Sequence, residues 1–441
     1  MAAIAQGNRS TLMRVAVIGG GIAGLSAATF LSCYPGIRVT VLERAGHIGG
    51  RADMVEDAEH CQRLFIDDYI QLFDILRQIP VGGGTVYESL RPVSRMVRIG
   101  GHWRQISRLY AIWSRELTVW EKYRVINERR TSALLADRVN SYRKTLRMLR
   151  NFDIGSLISF VTSSKRSQLV VCLPGRTDEC LITPWVEFLA ERGVEFRPNT
   201  NVRTVTRART HSAPRYWNIR TDTGTEAFDA VITTALPGDL ARLLDASGLA
   251  HRLPRHHEHL NFKVLTFEYA DREPGVDFPD YALMAHNGVS ILLQRPAGRC
   301  TAFCTSPLDA SDEHIRTRVE EMLGEMGAVS FVGVRPNSTP AEAIYCAKPV
   351  DPKRVLVRHR DGLYFAGSAM EQVYPFDSGE AATRSARAAV DQLLIDTSSR
   401  TVGFRVPGPF TGTRFGMTLR HVRKRRCDSR DCPRCYEPRE K

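Results

Sequence analysis

The sequence contains no run of about eighteen or more uncharged apolar residues, the length a membrane-spanning helix needs, so no spanning segment is expected. It also lacks a cysteine framework. Of ten cysteines, Cys33, Cys61, Cys172, Cys180, Cys300, Cys304 and Cys346 are scattered, which excludes a disulfide-stapled scaffold and predicts reduced, mostly buried thiols. Residues 1–13 show no charged start followed by a long apolar block and no cleavage site, so they read as a short disordered leader. The expected location is cytoplasmic.

What is present is length, apolar content and positive charge. A chain of 441 residues exceeds one ordinary core and implies two interleaved domains with extensions. The net charge of +13 is uneven: residues 399–441 supply +8, leaving +5 for the rest. Within that rest, the segment from Arg91 to Arg166 is itself basic. It reads either as solvated helix faces or as a surface that meets an acidic carrier protein, an anionic membrane or an acidic substrate.

The informative stretch is Arg14-Val-Ala-Val-Ile-Gly-Gly-Gly-Ile-Ala-Gly-Leu-Ser-Ala-Ala-Thr-Phe-Leu31. Val15 to Ile18 reads as a buried parallel strand, and Ile22 to Leu31 as a helix. Between them Gly19, Gly21 and Gly24 supply G-x-G-x-x-G. Such glycines allow a tight turn, close approach of backbone to a pyrophosphate and close helix–strand packing, and the first helical turn at Ile22, Ala23 and Gly24 then faces the anion. A second strand, Arg38 to Leu42, ends in Glu43, 19 residues after Gly24, where an acidic side chain reaches ribose hydroxyls. This order predicts a dinucleotide site. No second fingerprint of this kind follows, which argues against a bound NAD(P)H as partner.

Glu43-Arg44-Ala-Gly-His-Ile-Gly49-Gly50-Arg51-Ala52 comes next, and here the chain resembles the flavin amine oxidase and carotenoid (phytoene) desaturase superfamily. The resemblance implies an α/β fold, a Rossmann-like FAD-binding domain of the two-dinucleotide-binding-domain type interleaved with an α+β substrate domain. It implies FAD as cofactor, with Gly19, Gly21, Gly24, Glu43, Arg44, Gly49, Gly50 and Arg51 around it. On this basis the FAD-binding domain takes residues 14–80, 167–250 and 351–398, the substrate domain 81–166 (helical) and 251–350 (sheet and helix), and 399–441 form a basic, Cys-containing tail.

Along the chain, Phe65 to Ile79 has apolar residues at helical spacing and stops at Pro80, and Val81-Gly-Gly-Gly-Thr85 reads as a turn. Arg98 to Arg104 reads as a hairpin turning at Gly100-Gly101. Leu109 to Phe152 reads as helical, either packing inward in the substrate domain or lying on a membrane surface. Leu173-Pro-Gly-Arg176, a helix from Pro184, and Val194 to Val205 follow the superfamily's order, in which the counterpart of Val202 lays its backbone against the adenine. Lys263, on a strand from Leu260 to Tyr269, is either an edge lysine or, by resemblance to the amine oxidases, the residue that holds a water at the flavin N5. Cys300 and Cys304 are expected to face one way into the core. Ile315, Val319, Met322, Leu323 and Met326 mark one helix face.

The closing signature is Gly362-Leu-Tyr-Phe-Ala-Gly367-Ser368, then Tyr374-Pro-Phe-Asp-Ser378-Gly379-Glu380-Ala381, then a helix through Leu394. It resembles the superfamily's "G-L-Y-F-A-G-[DE]-x" and "S-x-E-G-A-x-x-S-G-x-x-A-A". That implies cofactor contacts at Gly367, Ser368, Ser378, Gly379, Glu380 and Ala381, with the helix N-terminus toward the flavin O2 region and Tyr374 or Phe376 in the ring-side wall. Ser368 stands where an acidic residue is usual, and Gly379-Glu380-Ala381 reads as a permuted Glu-Gly-Ala. In the tail, Cys427, Cys432 and Cys435 with His421 allow a Cys3His zinc site, but an unstructured docking or solubilising tail is the reading taken. No metal is expected, nor nucleic-acid binding.

The implied function is an FAD-dependent oxidoreductase of amine-oxidase type, acting on an amine or amino-acid-derived substrate with reoxidation by oxygen. Two alternatives stay open. One is an isoprenoid desaturase or dehydroxylase at a membrane surface; the other is a non-catalytic flavoprotein whose basic tail binds a partner.

Overall fold

A parallel strand covered on both faces must be apolar almost throughout, and this condition selects the strands of the first sheet. The structure, a computed structural model, describes residues 12–55, 57–66, 69–99, 102–105, 170–208, 216–251, 253, 259–260, 262–269, 278–286, 289–304, 311–323, 329–337, 344–345, 358–360, 362–370 and 378–398.

In chain order the elements that matter are β1 (Met13–Ile18), α1 (Ile22–Ser32), β2 (Ile37–Leu42), α2 (Ile70–Leu76), β3 (Ser94–Ile99) and β4 (His102–Gln105). Next come α3 (Thr183–Glu191), β5 (Glu195–Arg197), β6 (Ala230–Thr233), α4 (Pro237–Ala246), β7 (Phe262–Tyr269), β8 (Tyr281–His286), β9 (Val289–Gln294) and β10 (Arg299–Cys304). The last are α5 (Asp312–Leu323), β11 (Val329–Asn337), β12 (Arg358–Arg360), β13 (Leu363–Phe365) and α6 (Gly379–Ser398).

The first sheet has the order β5-β2-β1-β6-β13-β12, parallel except for β12 at its edge. From β1 the chain builds outward to β2 and β5 on one side and to β6 and β13 on the other. The junction of β1 and β6 is therefore the switch point where a doubly wound sheet takes its ligand. Helix α1 is buried from Ala23 to Leu31, because α3 and α6 cover what the sheet does not. Its few polar groups are matched there: Trp185 Nε1 donates to Thr29 Oγ1 at 2.8 Å, and Ser26 and Thr383 share a hydroxyl hydrogen bond at 3.0 Å.

The second sheet, β11-β7-β10-β9-β8-β3-β4, is antiparallel except where β3 runs parallel to β8. Strand alternation gives it two unlike faces. Leu265, Phe267, Ile291, Leu293 and Ala302 pack against Ile315, Val319, Met322 and Leu323 of α5. Cys300 and Cys304 lie on this same face, as their even spacing predicts. The inner face carries Phe262, Val264 and Phe303 with buried polar residues, and it meets residues 53–62 and the loop after Cys172.

The helix expected over Phe65 to Ile79 is divided. Leu64–Ile66 forms a strand paired with Val170–Cys172, and only Ile70–Leu76 is helical. That distant partner outweighs the local periodicity, which cannot register it. The glycine run is a turn, with Gly82 and Gly83 at φ 53° and 82° between two short antiparallel strands. Among the described residues no helix is long and apolar enough to cross a membrane, and no disulfide joins two cysteines. Residues 106–169, Met326, Tyr374, Phe376 and the tail with Cys427, Cys432 and Cys435 lie outside the described residues.

Candidate functional site

The turn after β1 is tight enough that glycine is required at two of its three motif positions. A Cβ on Gly24 would lie 1.9 Å from the Gly19 carbonyl oxygen, and Gly19 itself has φ 103° with Thr234 Oγ1 pressed against it. Thr234, the residue after β6, donates to the carbonyls of Ile18 and Gly19 at 3.0 and 3.2 Å, closing the turn from beyond the neighbouring strand. Gly21 begins α1 with no side-chain cap and no acidic residue in the first turn. The amides of Ile22, Ala23 and Gly24 thus present the positive end of the helix dipole to the crevice.

Around that helix end the chain brings together segments far apart in sequence. Glu43 accepts from the amides of Gly20 at 2.6 Å and Ala45 at 2.9 Å, using two of the roughly four acceptor positions of a carboxylate. Gly49 bridges to Gly21 and donates to the Gly20 carbonyl, so the Gly-Gly-Arg turn lies directly on the first turn. A Cβ on Gly50 would meet Gly21 Cα at 3.0 Å. Arg51 reaches from here to Ser368, just beyond β13, with Nη2 donating to Oγ at 2.9 Å. Gly367, at φ 127°, donates its amide to Ser385 Oγ at 2.8 Å, fixing the end of β13 on α6.

Arg44 is largely exposed and turns to Asp239 in the first turn of α4. Val202 is half-buried, and the residues before it are tied to the same loop: the Thr200 and Asn199 amides donate to the carbonyls of Glu43 and Ala45. That tie carries the Val202 segment to the Glu43 end of the crevice.

At the closing motif Ser378 caps α6, its Oγ accepting from the Ala381 amide at 3.1 Å. Glu380 is 1% exposed, and its carboxylate accepts from the Gln71 and Leu72 amides at 3.2 and 2.9 Å. It satisfies the N-terminus of α2, which has no side-chain cap of its own.

Lys263 lies on the face of β7 shared with Leu265 and Phe267, beneath α5. There Nζ donates to Asp312 Oδ1 at 3.0 Å. Alternation along β7 turns Phe262 and Val264 toward the strap of residues 53–62, on the face opposite Lys263, and the water-holding role implied by resemblance is a matter for the kinetic test below.

Sequence reasoning missed His47, Asp53 and Thr234. His47 Nδ1 pairs with the Asp53 carboxylate across the Gly49-Gly50 turn. Burial pushes the Asp53 carboxyl up from the usual carboxylate value, against the lowering effects of the Met54 amide and of His47. The histidine-to-aspartate spacing carried no motif, and the pairing exists only because two positive-φ glycines fold the turn back. Nearby, burial alone pushes the Cys172 thiol up to about 12 and so keeps it inert.

These residues fit a bound dinucleotide. The turn leaves no room for side chains at Gly19 and Gly24, an uncapped helix end faces the crevice, and a carboxylate with spare acceptor capacity sits at the end of β2. Residues 17–79 match the model of the NAD(P)-binding Rossmann-like domain. No curated protein matches the chain at a significant level. Among solved structures, the chain is similar to a protein described as a protoporphyrinogen oxidase from Exiguobacterium sp. 255-15, with TM-score 0.54 and 16% identity over 88% of this chain and 99% of that one. It is likewise similar to an oxidoreductase from Methanosarcina mazei (TM-score 0.55, 13% identity, 86% and 100% covered) and to a redesigned putrescine oxidase (TM-score 0.55, 16% identity, 88% and 99% covered). The chain has the fold of these oxidoreductases. Within that fold, the crevice described above lies at the carboxyl ends of β1, β2, β6 and β13, where an open parallel sheet receives its ligand.

Proposed function

We propose that the protein is an FAD-dependent oxidoreductase that oxidises a C–N bond in an amine or amino-acid-derived substrate. The observation that carries this reading is the Arg51–Ser368 hydrogen bond, which joins the Gly-Gly-Arg turn to the closing motif at the mouth of the Gly19–Gly24 turn. An ordinary NAD dehydrogenase fingerprint requires neither of those two segments. Bound FAD supplies the hydride acceptor and passes the electrons on to oxygen.

The chain's own residues bind and orient. The α1 N-terminus faces the pyrophosphate, Glu43 takes ribose hydroxyls on its remaining acceptor positions, and the Val202 segment lies on the adenine side. Arg51, Gly367 and Ser368 serve the ribityl side, and the N-terminal turn of α6 at Ser378 to Ala381 serves the flavin end, with Glu380 holding α2 in place. The putrescine oxidase neighbour supports the C–N substrate class. The net charge of +13 supports an acidic carrier protein or an anionic membrane surface as partner.

The test is direct. Purified protein should carry a flavin absorbance band, release FAD on denaturation, and lose the band anaerobically with one member of an amine and amino-acid panel, releasing peroxide on re-aeration. Bleaching by an isoprenoid in vesicles and by no amine would replace this substrate class with the desaturase one. Retained flavin that nothing reduces would make the protein a non-catalytic flavoprotein.

A further inference from the structure

Residues 53–62 run from the Arg51 turn across the inner face of the second sheet, and that face holds them largely by their backbone carbonyls. Arg335 Nη1 donates to the carbonyl of Asp53 at 2.6 Å, Arg299 Nη2 to that of Asp57 at 3.1 Å, and Asn337 Nδ2 to that of His60 at 3.2 Å. Gln62 answers in kind, donating to the carbonyls of Ser290 and Thr301 at 2.8 and 3.0 Å. Arg335, Arg299 and Asn337 are all buried, where a polar group is costly unless it is hydrogen-bonded, so these grips are specific features of the sheet.

Among these grips, the one from Arg335 lands on the residue that terminates the cofactor turn. The Asp53 amide donates to the Gly50 carbonyl at 3.2 Å. Its side chain lies against Gly49 so closely that a Cβ there would come within 2.6 Å of Asp53 Cβ, and its carboxylate meets His47. Asp53 thereby ends the turn that aims Arg51 at Ser368.

We propose that Arg335, a residue of the second sheet, is a positioning residue for Arg51, so that its grip on the Asp53 carbonyl sets the affinity for the cofactor. The proposal rests on the FAD reading above. A change at Arg335 reaches Arg51 through one hydrogen bond and one turn, acting through Asp53.

The experiment is FAD titration of the deflavinated full-length protein, by flavin fluorescence and visible spectrum, for wild type, Arg335→Gln, Arg335→Lys and Asn337→Ala. Loss of a charge-assisted grip predicts that Arg335→Gln weakens FAD binding by about tenfold and shifts the flavin spectrum. Arg335→Lys, which keeps a donor, recovers part of both. Asn337→Ala releases the strap at its far end together with a 3.3 Å hydrogen bond to the Arg335 carbonyl, but it leaves the Arg335 side chain on Asp53, so it lowers the unfolding temperature and costs FAD affinity clearly less than Arg335→Gln does. Wild-type affinity and spectrum in Arg335→Gln would overturn the positioning role, as would an equal loss of affinity in Asn337→Ala. Should Arg335→Gln fail to fold, intermediate affinity in Arg335→Lys supports the role and wild-type affinity overturns it. Failure of the wild type to take up FAD overturns the FAD reading itself, and this proposal with it.

Discussion

Arg51 donates to Ser368 across 317 residues of sequence, and in doing so joins the first and last motifs of the chain into one wall. A hydrogen bond from a charged guanidinium contributes about 1.5–3 kcal/mol, so Ser368→Ala should weaken FAD binding by roughly tenfold or more. Arg51→Ala should cost more, because the cation itself is lost. A double-mutant cycle on FAD affinity should show a coupling of about 0.5 kcal/mol or more; additive losses would mean that the two act separately.

The glycines of the first turn separate folding from binding. Gly24→Ala sets a methyl 1.9 Å from the Gly19 carbonyl oxygen, so α1 must move off β1. It should lower stability by at least the roughly 1–3 kcal/mol typical of overpacking, and abolish flavin retention with it. Gly21→Ala is different. Its Cβ would find the Gly49 carbonyl at 3.7 Å, an ordinary contact, and its backbone has φ −76°, open to any residue. On the FAD reading the added methyl stands between the helix end and the Gly49–Gly50 turn, where a pyrophosphate would be bound, so the melting temperature of the deflavinated protein should stay near wild type while FAD binding is lost. Thermal unfolding of the deflavinated variants, with bound flavin measured separately, checks both.

The first βαβ unit was legible because everything that defines it is local: an apolar run, glycines at fixed offsets, a second strand and Glu43 at its end. The closing strand and helix were legible for the same reason. Legibility failed where a distant partner decides. Leu64–Ile66 looks helical until Val170–Cys172 pairs with it, and nothing near residue 64 announces that partner. Glu380 shows a subtler failure. Its motif was visible, but nothing local to it announces that its buried carboxylate accepts from the amides of Gln71 and Leu72, 309 and 308 residues away in sequence. The two faces of β7 were implicit in its alternation, yet only the packing of α5 shows which of them Lys263 occupies.

Lys263 supplies a prediction that sets the geometry against the resemblance. Its side chain is 21% exposed and paired with Asp312, so Lys263→Met should remove an ion pair whose contribution is about 0–1 kcal/mol. Flavin reoxidation by oxygen, followed by stopped-flow after anaerobic reduction, should keep its wild-type rate, and Asp312→Asn should match Lys263→Met in unfolding temperature. A large fall in reoxidation rate in Lys263→Met alone would restore the lysine to the flavin.

Acid sensitivity should arise where β1, β5 and the strand Thr225–Phe228 are tied by Arg14, Glu226, Arg197 and Glu195. The Arg197 hydrogen bond holds Glu195 below the usual glutamate value. For Glu226, burial pushes upward, but the hydrogen bond and charge of Arg197, joined by Arg14, outweigh it and leave the carboxyl lowered as well. A carboxyl depressed in the folded state adds stability above its unfolded value, 4.5 for these two groups, and loses it as the pH falls through the folded value. Stability from this network should therefore be flat from neutral pH down to about 5, then decline through and below 4.5. Glu226→Gln should lower the melting temperature at pH 7 and flatten the acid limb, so that wild type and variant converge at low pH. The two carboxyls are partly exposed, so added salt should shrink the difference at pH 7. Parallel melting curves for the two proteins across the whole acid range would show that the network does not titrate with folding.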